Sequence, residues 1–265
     1  MKRLHLFEWE DLSWFPDIYR EYITDLLQYQ LTAFDVYSPI IDKISKIMEV
    51  SKSNRLIDVC SGASGPMLSI SNNLSEQGVS DFKITLTDKY PNLNAFQKIS
   101  EKSQGKIDFI QKSVNVLNFP QELKGVRTFF SSFHHFKPQQ AKQIIQAMID
   151  DGMPICIFEF TERSVVNLLK VIFFGFLLVW INTPFIRPFK FNRLFWTYII
   201  PVVPLTYSWD ALVSHIRTYT IEEIKQMLDQ IEESQRYDWE LGKIASPKSG
   251  FNITYIIGYK KTIIG

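Results

Sequence analysis

Cysteine is scarce in this chain, and neither sign of charge prevails. The two cysteines, Cys60 and Cys156, sit far apart in apolar, strand-like runs. That excludes a disulfide framework and fits reduced thiols in a cytosolic protein. No cysteine–histidine set has zinc spacing, so no metal is expected. Lys and Arg number 29 against 28 Asp and Glu, a net charge of +1. Such a chain lacks the basic surface that nucleic acid requires of a partner. Internal repeats and low-complexity tracts are missing too. The stretch from Met1 to Glu10 carries acids where a signal peptide needs apolar residues, so no secretion signal is expected. What the chain does have is apolar residues, at 46%, with 22% charged, over 265 residues. That is enough for one well-buried domain and argues against disorder. It also has 21 Phe, 11 Tyr and 6 Trp, many of them crowded into residues 172–209.

Apolar side chains recur at helical spacing through residues 17–49, with a break near Ser38-Pro39. Strands are expected at 55–59, 83–87, 107–112, 127–131 and 154–160. Helices over 67–77, 92–104 and 139–150 separate most of them, two closed by Gly78 and Gly105. Alternation of this kind predicts a parallel sheet with crossover helices. Thr220 with Glu223 three residues on reads as a capping box that opens a late helix. Two strands near 237–244 and 252–260 follow, joined by a loop with Pro247 and Gly250, and should pair antiparallel.

The most informative stretch runs from Arg55 to Pro66: a buried strand, then Asp58-Val-Cys-Ser-Gly-Ala-Ser-Gly65, a turn of small residues before a helix. The next strand ends on a carboxylate, Asp88. A glycine turn followed by an acid at the next strand tip is how a doubly wound sheet holds a ribose-bearing cofactor. On these residues the chain resembles the class I S-adenosylmethionine-dependent methyltransferases, in particular a little-characterised bacterial branch with a Cys-Ser-Gly loop. The resemblance implies an α/β, Rossmann-like, seven-stranded, mostly parallel sheet with an antiparallel last strand. An N-terminal helical lid over 1–50, a cofactor core over 51–162, an apolar insertion over 163–219 and the last helix and strands over 220–265 would form one domain. The match is closest over 55–160.

The same resemblance implies the site. Asp58, Cys60, Ser61, Gly62 and Gly65 would face the cofactor, S-adenosyl-L-methionine. Gly62 fits the central glycine; Cys60 and Ser64 stand where two others would be. Cys60 tolerates positive φ poorly, so the sharpest bend is expected at Gly62. Asp88 would hold both ribose hydroxyls, with Lys89 and Tyr90 beside the adenine. Asn115 and Val116 would meet its edge, the Asn carbonyl accepting from the amino group. Ser131 and Ser132 end the fourth strand and lead into His134-His135. Either histidine could act as general base, and Glu159 or Glu162 could touch substrate. The plainer alternatives are a helix cap for a histidine and an ion pair from the acids to Arg163. Arg217 and Tyr219 could close over the site. Trp14-Phe15 reads as either a lid element that excludes water or a hydrophobic staple.

The uncharged runs 171–186 and 194–209 flank Arg187, Lys190 and Arg193. Each run falls short of the ~20 residues a spanning helix needs. Three readings stay open: a substrate cap, a membrane-facing hairpin, or plain core or dimer face. The first two agree on a small hydrophobic or lipid-like acceptor with an O, N or S nucleophile. They place the protein in the cytoplasm, with peripheral contact on the inner membrane through 171–209 under the second. Rival functions are a non-catalytic cofactor-binding or membrane-docking protein and an NAD-type oxidoreductase.

Overall fold

The computed structural model describes residues 1–261. Five strands run parallel: β1 (Arg55–Val59), β2 (Lys83–Thr87), β3 (Ile107–Phe109), β4 (Val126–Phe130) and β5 (Ile155–Glu159). β6 (Tyr237–Ser246) and β7 (Phe251–Lys260) form a hairpin, and β7 inserts antiparallel against β5. The order is β3-β2-β1-β4-β5-β7-β6. β1 feeds outward to β2 on one side while β4 lies on its other side. That reversal opens a crevice at the carboxyl ends of the strands, the place where such sheets bind ligands.

The central strands read as continuous apolar runs because helices bury both faces. On one face, α2 (Ile41–Val50), α3 (Met67–Glu76) and α4 (Leu93–Lys102) pack Ile44, Ile70 and Phe96 against Leu56, Ile84 and Leu86. On the other, α5 (Pro138–Asp150) and α9 (Ile221–Leu228) pack Ile144, Met148 and Ile224 against Ile57, Phe129 and Ile157. The Thr220 hydroxyl accepts from the Glu223 amide at 3.2 Å and the Glu223 carboxylate accepts from the Thr220 amide at 3.0 Å, the reciprocal cap expected there.

A second layer of helices lies apart from the sheet: α1 (Asp17–Ala33), α6 (Val165–Asn182), the short α7 (Phe191–Leu194) and α8 (Val202–Arg217). Tyr22, Leu26, Val179, Ile186 and Val203 are its small core. Two boundaries differ from expectation. β3 stops at Phe109 because the chain then leaves the ladder and the Val114 amide donates to the Asp88 carbonyl at 2.8 Å. α6 starts at Val165, and with the following turn the apolar helical segment runs 21 residues, Val165–Phe185. That is long enough to cross a membrane, where the sequence reading, starting after Lys170, had judged it too short.

α6 is built inside out. The side it packs on α8 carries Asn167, Val171, Gly175, Val179 and Asn182. Ile172, Phe173, Phe174, Leu177, Trp180 and Ile181 are exposed, Phe173 by 69%. Gly175 faces α8, where a Cβ added to it would meet Ser208 Oγ at 3.4 Å, in ordinary van der Waals contact.

Candidate active site

The loop after β1 has an unusual backbone. Cys60 (φ 60°), Gly62 (φ 54°), Ser64 (φ 71°) and Gly65 (φ 42°) are all left-handed. The bend is therefore shared among four residues rather than concentrated at Gly62, and two side-chain-bearing residues adopt a conformation that L residues avoid. Such strain persists only where surrounding contacts impose it. Here the Ser61 amide donates to the Thr87 carbonyl at 3.0 Å, and Ser61 Oγ accepts from the Thr87 amide at 3.1 Å. These bonds fix the loop to the end of β2.

Asp88 completes the rim. One carboxylate oxygen accepts from the Gly62 amide at 2.8 Å, the other from the Tyr90 amide at 2.7 Å. The side chain thus points at the glycine loop and stays half-exposed. A Cβ built at Gly62 or Gly65 meets no atom within 4 Å, so the space before the loop is open. Asp58 lies beneath, buried, with Thr128 Oγ1 donating to it at 3.4 Å. Burial pushes its carboxyl up to about 7, only partly offset by Ser61 and Thr128. Burial also raises the Cys60 thiol, so Cys60 stays a neutral small side chain.

The other expected contacts are distributed less evenly. Asn115 Oδ1 caps the turn Val116–Asn118 by accepting from the Leu117 amide at 3.1 Å and keeps one lone pair. Val116 is buried in the core beside α5. Lys89 is exposed, and its ammonium lies 5.2 Å from the ring of Tyr90, which is 79% exposed and packs against nothing else in the crevice. Ser131 (φ 47°) shares a 2.6 Å bond with the Tyr37 hydroxyl and accepts from the Phe160 amide at 3.3 Å. Its side chain is thereby tied to the segment between α1 and α2, whereas Ser132 Oγ is buried with no hydrogen-bond partner among the described residues. Gln28 of α1 donates to Ser64 Oγ at 3.3 Å, a second tie between the N-terminal helices and the loop.

His134, His135 and Glu159 come together. His134 Nδ1 lies 2.7 Å from Glu159 Oε2, and the imidazoles stack at 4.4 Å. Sequence reasoning missed what closes this cluster: the N-terminal arm. Glu8 is fully buried against His135, His134 and Arg217, and Asp11 pairs with His135 at 3.1 Å and Arg217 at 2.7 Å. Arg3 donates to the His134 and Phe136 carbonyls. Burial opposes the charge on His135, but Glu8 and Asp11 outweigh it and push the imidazole up to about 10. The sequence signal was Glu8 itself, an acid between Phe7 and Trp9. Arg163 pairs with Glu223 and Glu162 with Lys243, not with each other. Tyr219 donates to the Phe136 carbonyl at 2.7 Å, so it braces the turn after β4. Phe15 is buried against Tyr19 and Trp9 while Trp14 is largely exposed.

A family model described as the ubiE/COQ5 methyltransferase family matches residues 13–183, well over half of the chain. The chain belongs to the ubiE/COQ5 methyltransferase family. No curated protein matches the sequence. Among solved structures, the plantazolicin methyltransferase BpumL in complex with SAH superposes with a TM-score of 0.54 at 13% identity, covering 92% of this chain and 98% of its own. The citrinin polyketide synthase CMeT domain gives 0.51 at 12% identity, over 87% of this chain and 55% of the other. An O-methyltransferase family protein from Burkholderia thailandensis gives 0.48 at 11%, over 85% and 56%. This methyltransferase spans little more than half the length of the last two. At such identities the two likenesses above a TM-score of 0.5 establish the fold alone. With the family match they make the protein an S-adenosylmethionine-dependent methyltransferase. The loop fits that cofactor: it has open space before its glycines and a carboxylate with free lone pairs on its rim.

Proposed function

We propose that this methyltransferase modifies a small hydrophobic or lipid-like acceptor, through an O, N or S atom, at the cytoplasmic surface of the inner membrane. The observation that carries the reading is the inside-out α6. Its polar and small residues face α8, and its Phe, Leu, Ile and Trp residues face outward. In water such a face is costly; in the interfacial zone of a bilayer it is favourable. Phe185, Phe189, Phe191, Phe195 and Ile199 extend it, and Arg187 lies within it, also exposed. α6 begins six residues after β5 ends, so the apolar face adjoins the carboxyl edge of the sheet.

Asp88 would hold the ribose hydroxyls, residues 60–65 would let the backbone approach, and Asp58 would lie under the amino-acid end. Asn115 would offer its second Oδ1 lone pair and Ser132 its hydroxyl. The cofactor supplies an electrophilic methyl group on a sulfonium. The protein's own work is then orientation and exclusion of water. The lid takes part through Gln28 and Tyr37. The His134–Glu159 pair is shut behind Glu8, so its role is to close and shape the site rather than to touch the acceptor. The apolar composition and neutral charge give nucleic acid no purchase.

Vesicle flotation with the full chain tests the reading. Binding to liposomes, and methyl transfer from labelled cofactor into a lipid extract, are expected. Turnover of a water-soluble acceptor with no vesicle binding would overturn it.

A further inference from the structure

The cluster behind the N-terminal arm has more acceptors than donors. Glu159 holds the Nδ1 proton of His134 at 2.7 Å, and its other oxygen accepts from the His134 amide at 3.1 Å. The remaining ring nitrogen, Nε2, is then a bare acceptor. It faces another acceptor, Glu8 Oε1, across 4.0 Å, with the two side chains 2% and 0% exposed; that oxygen already accepts from Ser214 Oγ at 3.0 Å, and it is Glu8 Oε2 that has room for a ligand. Neither His134 Nε2 nor Glu8 Oε2 has a hydrogen-bond partner. Two acceptors facing each other in a sealed gap are satisfied by a proton or by a metal ion between them.

The geometry suits a metal ion. The ligating atoms of Glu8, His134 and His135 lie within 4.8 Å of one another. Tetrahedral zinc, with bonds of about 2.0–2.1 Å, spaces its ligand atoms about 3.3 Å apart. Glu8 Oε2 and His135 Nδ1 are already 3.4 Å apart, and His134 Nε2 lies 4.0 Å from the other Glu8 oxygen. A carboxylate on the far nitrogen of a ligating histidine, as Glu159 is here, fixes ring and tautomer in metal sites. Arg217 lies 2.7 Å from Asp11 Oδ2 and 3.3 Å from Glu8 Oε1 and from His135 Nδ1, and Arg3 caps the His134 carbonyl, so neither guanidinium enters the gap between Glu8 and His134 Nε2. A metal ion in that gap leaves Arg217 on Asp11.

We propose that Glu8, His134 and His135 form a site for one divalent transition metal, zinc foremost, which pins the N-terminal arm across the tips of β4 and β5. Binding displaces the proton of His135, and Asp11 Oδ1, 3.1 Å from that nitrogen, is the candidate fourth ligand. Closure of the arm then depends on the metal. This holds whatever the acceptor is.

The test uses the full chain, stripped with chelator and reloaded with equimolar Zn²⁺ or Co²⁺. Mass spectrometry after desalting should find about one zinc per chain. Hydrogen exchange of residues 5–12 should slow at least tenfold. Cobalt should give visible bands of nitrogen and oxygen ligation without thiolate charge transfer. Glu8→Gln should bind zinc at least tenfold more weakly. The proposal fails if the unaltered chain retains no metal, as it would if protons alone fill the gap, or if cobalt reports thiolate ligation. It fails equally if a folded Glu8→Gln chain binds as well; should that variant not fold, the cobalt spectrum of the unaltered chain decides.

Discussion

Asp88 holds two backbone amides with its two oxygens and keeps lone pairs turned to the open side of the crevice. Hydrogen bonds to a charged group are worth about 1.5–3 kcal/mol each. Asp88→Ala should therefore weaken binding of the cofactor or its demethylated product by about 10- to 100-fold in calorimetry, with the fold intact by circular dichroism. Asp58 makes a second, pH-dependent prediction. Its folded carboxyl titrates near 7 because it is buried, while an unfolded Asp titrates near ~4. Between those values the folded chain holds a proton that the unfolded chain has lost, so the stability of the free enzyme falls as pH rises from about 4 to 7. If Asp58 must ionise to face a cationic ligand, binding should be about tenfold weaker at pH 6 than at pH 8. Asp58→Asn should flatten both profiles. At this scale the sequence was legible where chemistry depends on position along one strand: Asp58 within an apolar run, Asp88 at a strand tip. It was silent on the left-handed backbone of Cys60 and Ser64, because nothing in those side chains demands it; the ties to β2 impose it. It was silent too on Glu8, whose partners lie far along the chain.

Among the elements, α6 departs furthest from what a water-soluble protein asks of a helix. Exposed residues contribute little to folding, so Phe173→Ser with Trp180→Ser should leave the melting temperature nearly unchanged while cutting vesicle binding at least tenfold. Gly175→Leu should do the reverse. Its side chain would collide with Ser208, and overpacking of this kind costs about 1–3 kcal/mol, visible as a lower denaturation midpoint. The extent of this helix was underestimated from sequence because Lys170 looked like a boundary. In the structure its ammonium swings out to the Gly250 carbonyl at 2.8 Å, and the helix runs through. β3 was overestimated at its far end: the Ile110 amide still donates to the Leu86 carbonyl at 3.0 Å, but Gln111 and Lys112 turn out into solvent.

Taken as a whole, the molecule is a sheet with two additions at its carboxyl edge, the helical layer and the N-terminal arm. The alternation of strands and helices made the sheet and its antiparallel end readable in advance, since hydrophobic period and connection length leave few topologies. How the arm docks was not readable, because it depends on ion pairs among segments that share no local pattern. Deleting residues 1–12 would strand Arg217 and His135 without Glu8 and Asp11. Loss of partners for buried charges costs several kcal/mol, so the truncated chain should melt about 5–10 °C lower by calorimetry.

A helix that turns its greasy residues outward sets the terms for handling the protein at the bench. Prepared without amphiphile, it should stick to itself, with apparent size climbing with concentration in light scattering. A mild detergent should collapse those clusters to single chains and, by occupying the same surface, compete with the natural acceptor for entry.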